Sequence, residues 1–181
     1  TWYQDEANNV VLVKEASKGY EKAPAIIIQG HMDMVCEKEK DCNLDMDKEG
    51  LRLYVDGDFL KAEGTTLGGD DGIAVAYGLA LLDSTDLPHP ALEVVFTVDE
   101  ETGLLGADGF DCSLLKGRRM INLDSEKEGC LWVSCAGGVA GNSYLPVRRV
   151  DASGRKVNVK VCGLVGGHSG AEIHKNRASA N

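Results

Sequence analysis

At 181 residues the chain is long enough for one domain of ordinary size, or for one domain and the start of a second. Apolar residues at 43% and charged residues at 27% are ordinary for a globular chain, and no apolar run approaches the roughly 20 residues of a membrane helix, which excludes a membrane protein. Twenty-nine acidic against nineteen basic side chains give a net charge of −10, which argues against nucleic acid as a partner and is compatible with cations.

In chain order, the branched apolar residues 10–13 and the run Ala25-Ile-Ile-Ile-Gln29 read as strands, the second buried on both faces like the centre of a parallel sheet. Residues 51–55 and 59–61, joined through Asp56-Gly57-Asp58, read as a β-hairpin. Residues 72–82 suit a mostly buried helix, with Asp70 and Asp71 at its N-terminus where carboxylates are favoured. Pro88 and Pro90 end that region. Residues 92–98 form a second candidate core strand and 120–123 a third, with a short helix expected near 104–110 between them. This alternation of strand and helix predicts an α/β fold with helices on both faces of a sheet. After Cys135-Ala-Gly-Gly138, two polar-alternating stretches at 142–147 and 156–165 look like a hairpin opening a second domain.

Six cysteines (Cys36, Cys42, Cys112, Cys130, Cys135, Cys162) form no Cys-x-x-Cys pair and no dense framework, and read as reduced thiols of a cytoplasmic protein. The sequence opens on Thr1 and stops at Asn181 just as a helical pattern begins, so it is expected to be part of a longer protein, and a missing signal peptide carries no weight.

Acidic and histidine clusters follow the predicted core elements, at the end of the sheet where α/β proteins gather functional loops. His31 and Asp33 lie on one side of an extended segment, so the carboxylate can orient the imidazole or a metal-bound histidine. Asp70 sits among glycines that permit close backbone approach; it is a bridging metal ligand or, with Asp71, part of an N-cap pair. Glu100 and Glu101 point in different directions, so one can bind a cation while the other acts as a general base; a solvated acidic turn is the alternative. Asp124 completes a metal shell or caps a turn. His168, in the Gly-rich segment 166–170, is a donor to a developing oxyanion or an ordinary surface histidine. His89 and His174 read as loop and surface residues.

Together, His31-x-Asp33, Gly64-Thr-Thr-Leu-Gly-Gly-Asp70-Asp-Gly72, Glu100-Glu101-x-Gly103, Asn122-Leu-Asp124-Ser-Glu126, Cys135-Ala-Gly-Gly138 and Gly166-Gly-His168-Ser-Gly170 resemble the aminoacylhistidine dipeptidases, the peptidase D family of bacterial carnosinases. The resemblance spans nearly the whole chain. It implies a three-layer αβα zinc-peptidase-like catalytic domain over 1–138 and the start of an inserted α+β lid and dimerisation domain over 139–181. It further implies two divalent ions, zinc by preference with cobalt or manganese as alternatives. One would be held by His31 and Asp124, the other by Glu101, with Asp70 bridging and Asp33 clamping His31. Glu100 would be the general base toward a metal-bridged water that attacks an Xaa-His dipeptide, and His168 the oxyanion donor, within the chain or across a homodimer.

The N-terminal segment before the family's first strand and a distant C-terminal histidine ligand lie outside these residues, and Ser179 stands where the family usually has Asn. Related readings are a tripeptidase or aminoacylase using the same metals, or a non-catalytic metal-binding module.

Overall fold

The computed structural model describes residues 1–125, 127–135, 137, 139, 141–151, 153–165 and 173–175. Packing divides the chain into two units, Thr1–Lys127 and Glu128–Asn181.

Unit 1 is built on a five-stranded mixed sheet of β1 (Trp2–Gln4), β2 (Val10–Lys14), β3 (Ile26–His31), β6 (Leu92–Thr97) and β7 (Arg119–Asn122), in the order β1-β2-β6-β3-β7. β3 runs parallel to both β6 and β7, and β2 joins β6 antiparallel and carries β1 at the edge. All six residues of β6 are buried, as expected for the strand at the middle of the sheet. One of them is Glu93, whose carboxylate accepts the amides of Lys116 at 2.9 Å and Gly117 at 2.8 Å and so fixes the chain's entry into β7.

One face of the sheet packs Ile28, Val94 and Phe96 against Val75, Leu81 and Leu82 of α1 (Gly72–Asp83). The other packs Val11, Ile27 and Val95 against Phe110 and Leu115, which flank a 3-10 turn at Cys112–Leu114 after the short helix α2 (Leu105–Asp108). This is the expected α/β fold in three layers. The predicted hairpin is present as β4 (Leu53–Asp56) and β5 (Phe59–Ala62), a separate two-stranded sheet.

Three expectations need correction. The helix α1 is not mostly buried: Ala74 and Gly78 face the sheet, while Ile73, Tyr77 and Leu79 are exposed. Gly78 lets the helix come close, since a Cβ there would lie 2.8 Å from side-chain atoms of Phe96 and Val94. The third candidate core strand, β7, is exposed along its length, since among the described residues it pairs with β3 alone and lies at the edge of the sheet. In unit 2 the described residues form no strand pair, and Tyr144, Leu145, Val157, Val159 and Val161 are exposed. Among the described residues no helix is long and apolar enough to cross a membrane, and all six cysteines are free thiols.

Candidate metal centre

The three parallel strands end side by side, and each passes directly into a chemically loaded loop. β3 ends on His31, β6 leads into Asp99, Glu100 and Glu101, and β7 leads into Asp124. The loop entering α1 adds Asp70 and Asp71. Convergence at the carboxyl ends of parallel strands is the geometry on which open α/β sheets build their sites.

His31 is the hub and is 1% exposed. Its Nδ1 lies 2.8 Å from the main-chain carbonyl of Asp33, an atom that can only accept, so the neutral ring carries its proton there. Nε2 keeps its lone pair and faces Asp70 Oδ1 at 3.1 Å and Glu100 Oε2 at 3.9 Å. Burial works to lower the imidazole pKa, but the hydrogen bonds to the Asp33 carbonyl and the Asp70 carboxylate, with the charges of Asp124 and Asp33, together outweigh it and raise it.

Asp33 therefore orients His31 chiefly through its carbonyl rather than its carboxylate, whose Oδ1 is 3.5 Å from Nδ1. The carboxylate instead accepts the amides of Glu100 and Glu101, each at 3.1 Å. Burial opposes the ionised form of Asp33, yet those two N–H groups prevail and hold its pKa down. One residue thus ties the end of β3 to the loop after β6. Burial raises the pKa of Glu100; nearby His31 offsets part of this, and Asp124, Glu101 and Asp33 reinforce it.

The donors fall into two triads that share His31. One is His31, Asp70 and Glu101, the other His31, Asp71 and Asp124, and within each the ligand atoms lie within 4.8 Å of one another. Asp70, Asp71 and Asp124 also line a cleft of about 170 Å³. Two donors on one tetrahedral cation stand roughly 3.3 Å apart, close to the 3.1 Å between Nε2 and Oδ1, although a hydrogen bond has a similar length. Charge favours the cation. Among the described residues no lysine or arginine pairs with Asp70, Asp71, Glu100 or Glu101, so these carboxylates face one another around a single imidazole. Imidazole and carboxylate donors fit a divalent metal and relieve that repulsion.

Of the residues singled out from the sequence, His31, Asp33, Asp70, Glu100, Glu101 and Asp124 come together here. Asp124 groups with Asp71 rather than with Asp70. His168 lies outside the described residues.

No family model matches the chain. It is 39% identical over 180 residues to the cytosol non-specific dipeptidase of Escherichia coli, covering 98% of the chain and 37% of that relative. The aminoacylhistidine dipeptidase of Vibrio alginolyticus superposes with a TM-score of 0.65 at 41% identity, over 71% of this chain and 26% of that one. Both likenesses point to the aminoacylhistidine dipeptidases, the peptidase D group. An aminopeptidase of Bacillus cereus, at 24% identity and a TM-score of 0.54 over 70% of this chain and 34% of its own, shares the fold. The chain thus spans little more than a third of the Escherichia coli dipeptidase it matches.

The site residue that sequence reading missed is Asp71. As half of an N-cap pair it would cap α1, but it makes no side-chain cap bond. Its side chain, 1% exposed, turns into the sheet, and Oδ2 accepts the His31 amide at 3.3 Å. The available signal was Gly30, one residue before His31: a Cβ there would overlap Ala74 Cβ and come within 2.5 Å of Asp71 Oδ2. Gly30→Ala is accordingly expected to push the start of α1 off β3, costing about 1–3 kcal/mol of stability and weakening metal binding. Chemical denaturation and metal titration of the same preparation would check both effects.

Proposed function

We propose that this chain carries most of the two-metal centre of a dipeptidase acting on short peptides, the Xaa-His type among them. The observation that carries the reading is the different placement of two adjacent acids. Glu101 belongs to a donor triad, whereas Glu100 belongs to neither and stands 3.9 Å from His31 Nε2. A ligand and an untethered base side by side are what metal-assisted hydrolysis requires.

In this reading His31 and Asp124 would hold one ion and Glu101 the other, with Asp70 as the expected shared ligand and Asp71 beside Asp124; zinc would suit these donors, with cobalt or manganese as alternatives. When bound, the ions would polarise the scissile carbonyl and acidify the attacking water. Glu100 takes the proton of that water and returns it to the leaving amine. Asp33 holds the ring of His31 through its carbonyl and the position of Glu100 through its carboxylate. Residues 139–181 open the lid, from which His168 would donate to the oxyanion, within the subunit or across a homodimer. The peptide is a small cytoplasmic substrate.

The test is hydrolysis of Xaa-His dipeptides, tripeptides and N-acyl amino acids by the intact protein, before and after chelation. Dipeptide turnover that chelator abolishes and zinc, cobalt or manganese restores is the expected result. Turnover indifferent to chelation would overturn the reading, and tight metal uptake without turnover of any substrate would make the chain a metal-binding module.

A further inference from the structure

The loop that presents Glu100 and Glu101 is pinned at both ends by one buried side chain that belongs to no triad. We propose that Asn9 is a positioning residue for this loop, setting where Glu100 and Glu101 stand; the inference rests on the peptidase reading of the site.

Asn9 immediately precedes β2, and the β2–β6 register pairs Val10 with Phe96, so Asn9 lies where β6 gives way to the loop. Its side chain is fully buried. Oδ1 accepts the Val98 amide at 3.1 Å, where the loop begins, and Nδ2 donates to the Gly106 carbonyl at 2.8 Å, where it ends. The second hydrogen of Nδ2 goes to Asp5 Oδ2 at 2.7 Å, and Asp5 Oδ1 accepts the Asn9 amide at 2.8 Å, which holds the carboxamide in one orientation. Every polar atom of the side chain is therefore used.

Between those pins the chain takes demanding turns. Asp99 and Leu104 have φ of 54° and 62°, and Leu104 donates its amide to the Glu100 carbonyl at 3.0 Å. Gly106 donates its amide to the Val98 carbonyl at 3.2 Å, so the two ends nearly touch. At Gly106 a Cβ would come within 2.6 Å of Asn9 Oδ1 and would overlap the Val98 carbonyl. The Asp33 carboxylate supplies the third support, in the middle, at the amides of Glu100 and Glu101. The carboxamide uses separate atoms for these bonds, with Oδ1 accepting from Val98 and the two hydrogens of Nδ2 going to Gly106 and Asp5. An aspartate keeps the first bond and loses the second; an alanine loses both and leaves a buried amide and carbonyl without partners.

The experiment compares Asn9→Ala and Asn9→Asp with the core truncation Val11→Ala in the intact, metal-loaded protein. Dipeptide turnover, metal titration and amide hydrogen exchange over residues 98–106 are read in each. Asn9→Ala is expected to lower kcat by about 10- to 100-fold, with KM changed less than about twofold, because a misplaced base costs rate rather than binding. Exchange at the Glu100 and Glu101 amides is expected to speed up at least about tenfold as the loop opens locally. Val11→Ala, at matched loss of melting temperature, is expected to leave kcat per folded molecule and the loop amides unchanged. Unchanged loop exchange in Asn9→Ala, or an equal fall of kcat in Val11→Ala, would overturn the proposal.

If neither Asn9 variant folds, exchange on the wild-type protein decides. The Val98 and Gly106 amides should exchange as slowly as those of β6, and fast exchange there is also contrary to the proposal. Absence of dipeptide turnover in the wild type would count against the peptidase reading alone, since exchange and metal titration still report on the loop.

Discussion

Replacing Glu100 with glutamine is expected to lower kcat by about 10²–10⁴-fold while leaving bound metal and KM nearly unchanged. Glutamine has the shape of glutamate but cannot take a proton, and Glu100 belongs to neither donor triad, so the ligand set stays intact. The loop stays as well, because Asp33 holds it through the amides of Glu100 and Glu101 rather than through their side chains. The matched substitution Glu101→Gln alters a member of a triad and is expected to release metal. Steady-state kinetics with metal analysis on both variants separate base from ligand. A kcat for Glu100→Gln within tenfold of wild type, or metal loss equal to that of Glu101→Gln, would remove Glu100 from the proton-transfer role.

The elements visible in the sequence are those whose pattern reports directly on burial. The branched apolar residues 26–28 of β3 and the run 94–96 of β6 marked the strands at the centre of the sheet, and the turn Asp56-Gly57-Asp58 marked its hairpin. Pattern failed where tertiary context decides. Met120 and Ile121 suggested a core strand, yet all four residues of β7 are exposed, and the outer face of α1 carries Ile73, Tyr77 and Leu79 in the open. Apolar composition states what a segment can bury, not what the described residues lay against it.

The site shows the same division. His31, Asp70, Glu101 and Asp124 stood out as possible donors after predicted strands, but cap and turn roles remained open for the carboxylates, and it was the resemblance carried by the combined motifs that implied a ligand set. Asp71 and Asn9 were not, because polar residues are assigned to the surface by default and only a partner's position shows that they are buried and satisfied. The share of Asp33's work done by its carbonyl could not be read from side-chain identity at all.

The second large effect is expected at Asp70, whose role separates two arrangements of the same donors. Asp70 and Asp71 are neighbours with opposite environments. The side chain of Asp70 is 60% exposed and turned toward His31 Nε2, while Asp71 is 1% exposed and bonded to the His31 amide. Anchoring by Asp71 leaves Asp70 available to reach cations, and Gly69 beside it has nothing within 4 Å of where a Cβ would stand. Asp70→Asn keeps an oxygen but removes the charge that a divalent ion needs. Outer partners of metal ligands are worth about 10–100-fold in affinity, so a direct ligand is expected to cost more than about 100-fold. Because Asp70 is largely exposed, folding stability should move by less than about 1 kcal/mol. Metal titration followed by calorimetry then distinguishes the arrangements. Loss at both ions marks Asp70 as the bridge, whereas loss at one ion alone would leave it a terminal ligand of the His31 and Glu101 triad and pass the bridging position to another carboxylate. Full retention of both ions would remove Asp70 from the ligand set.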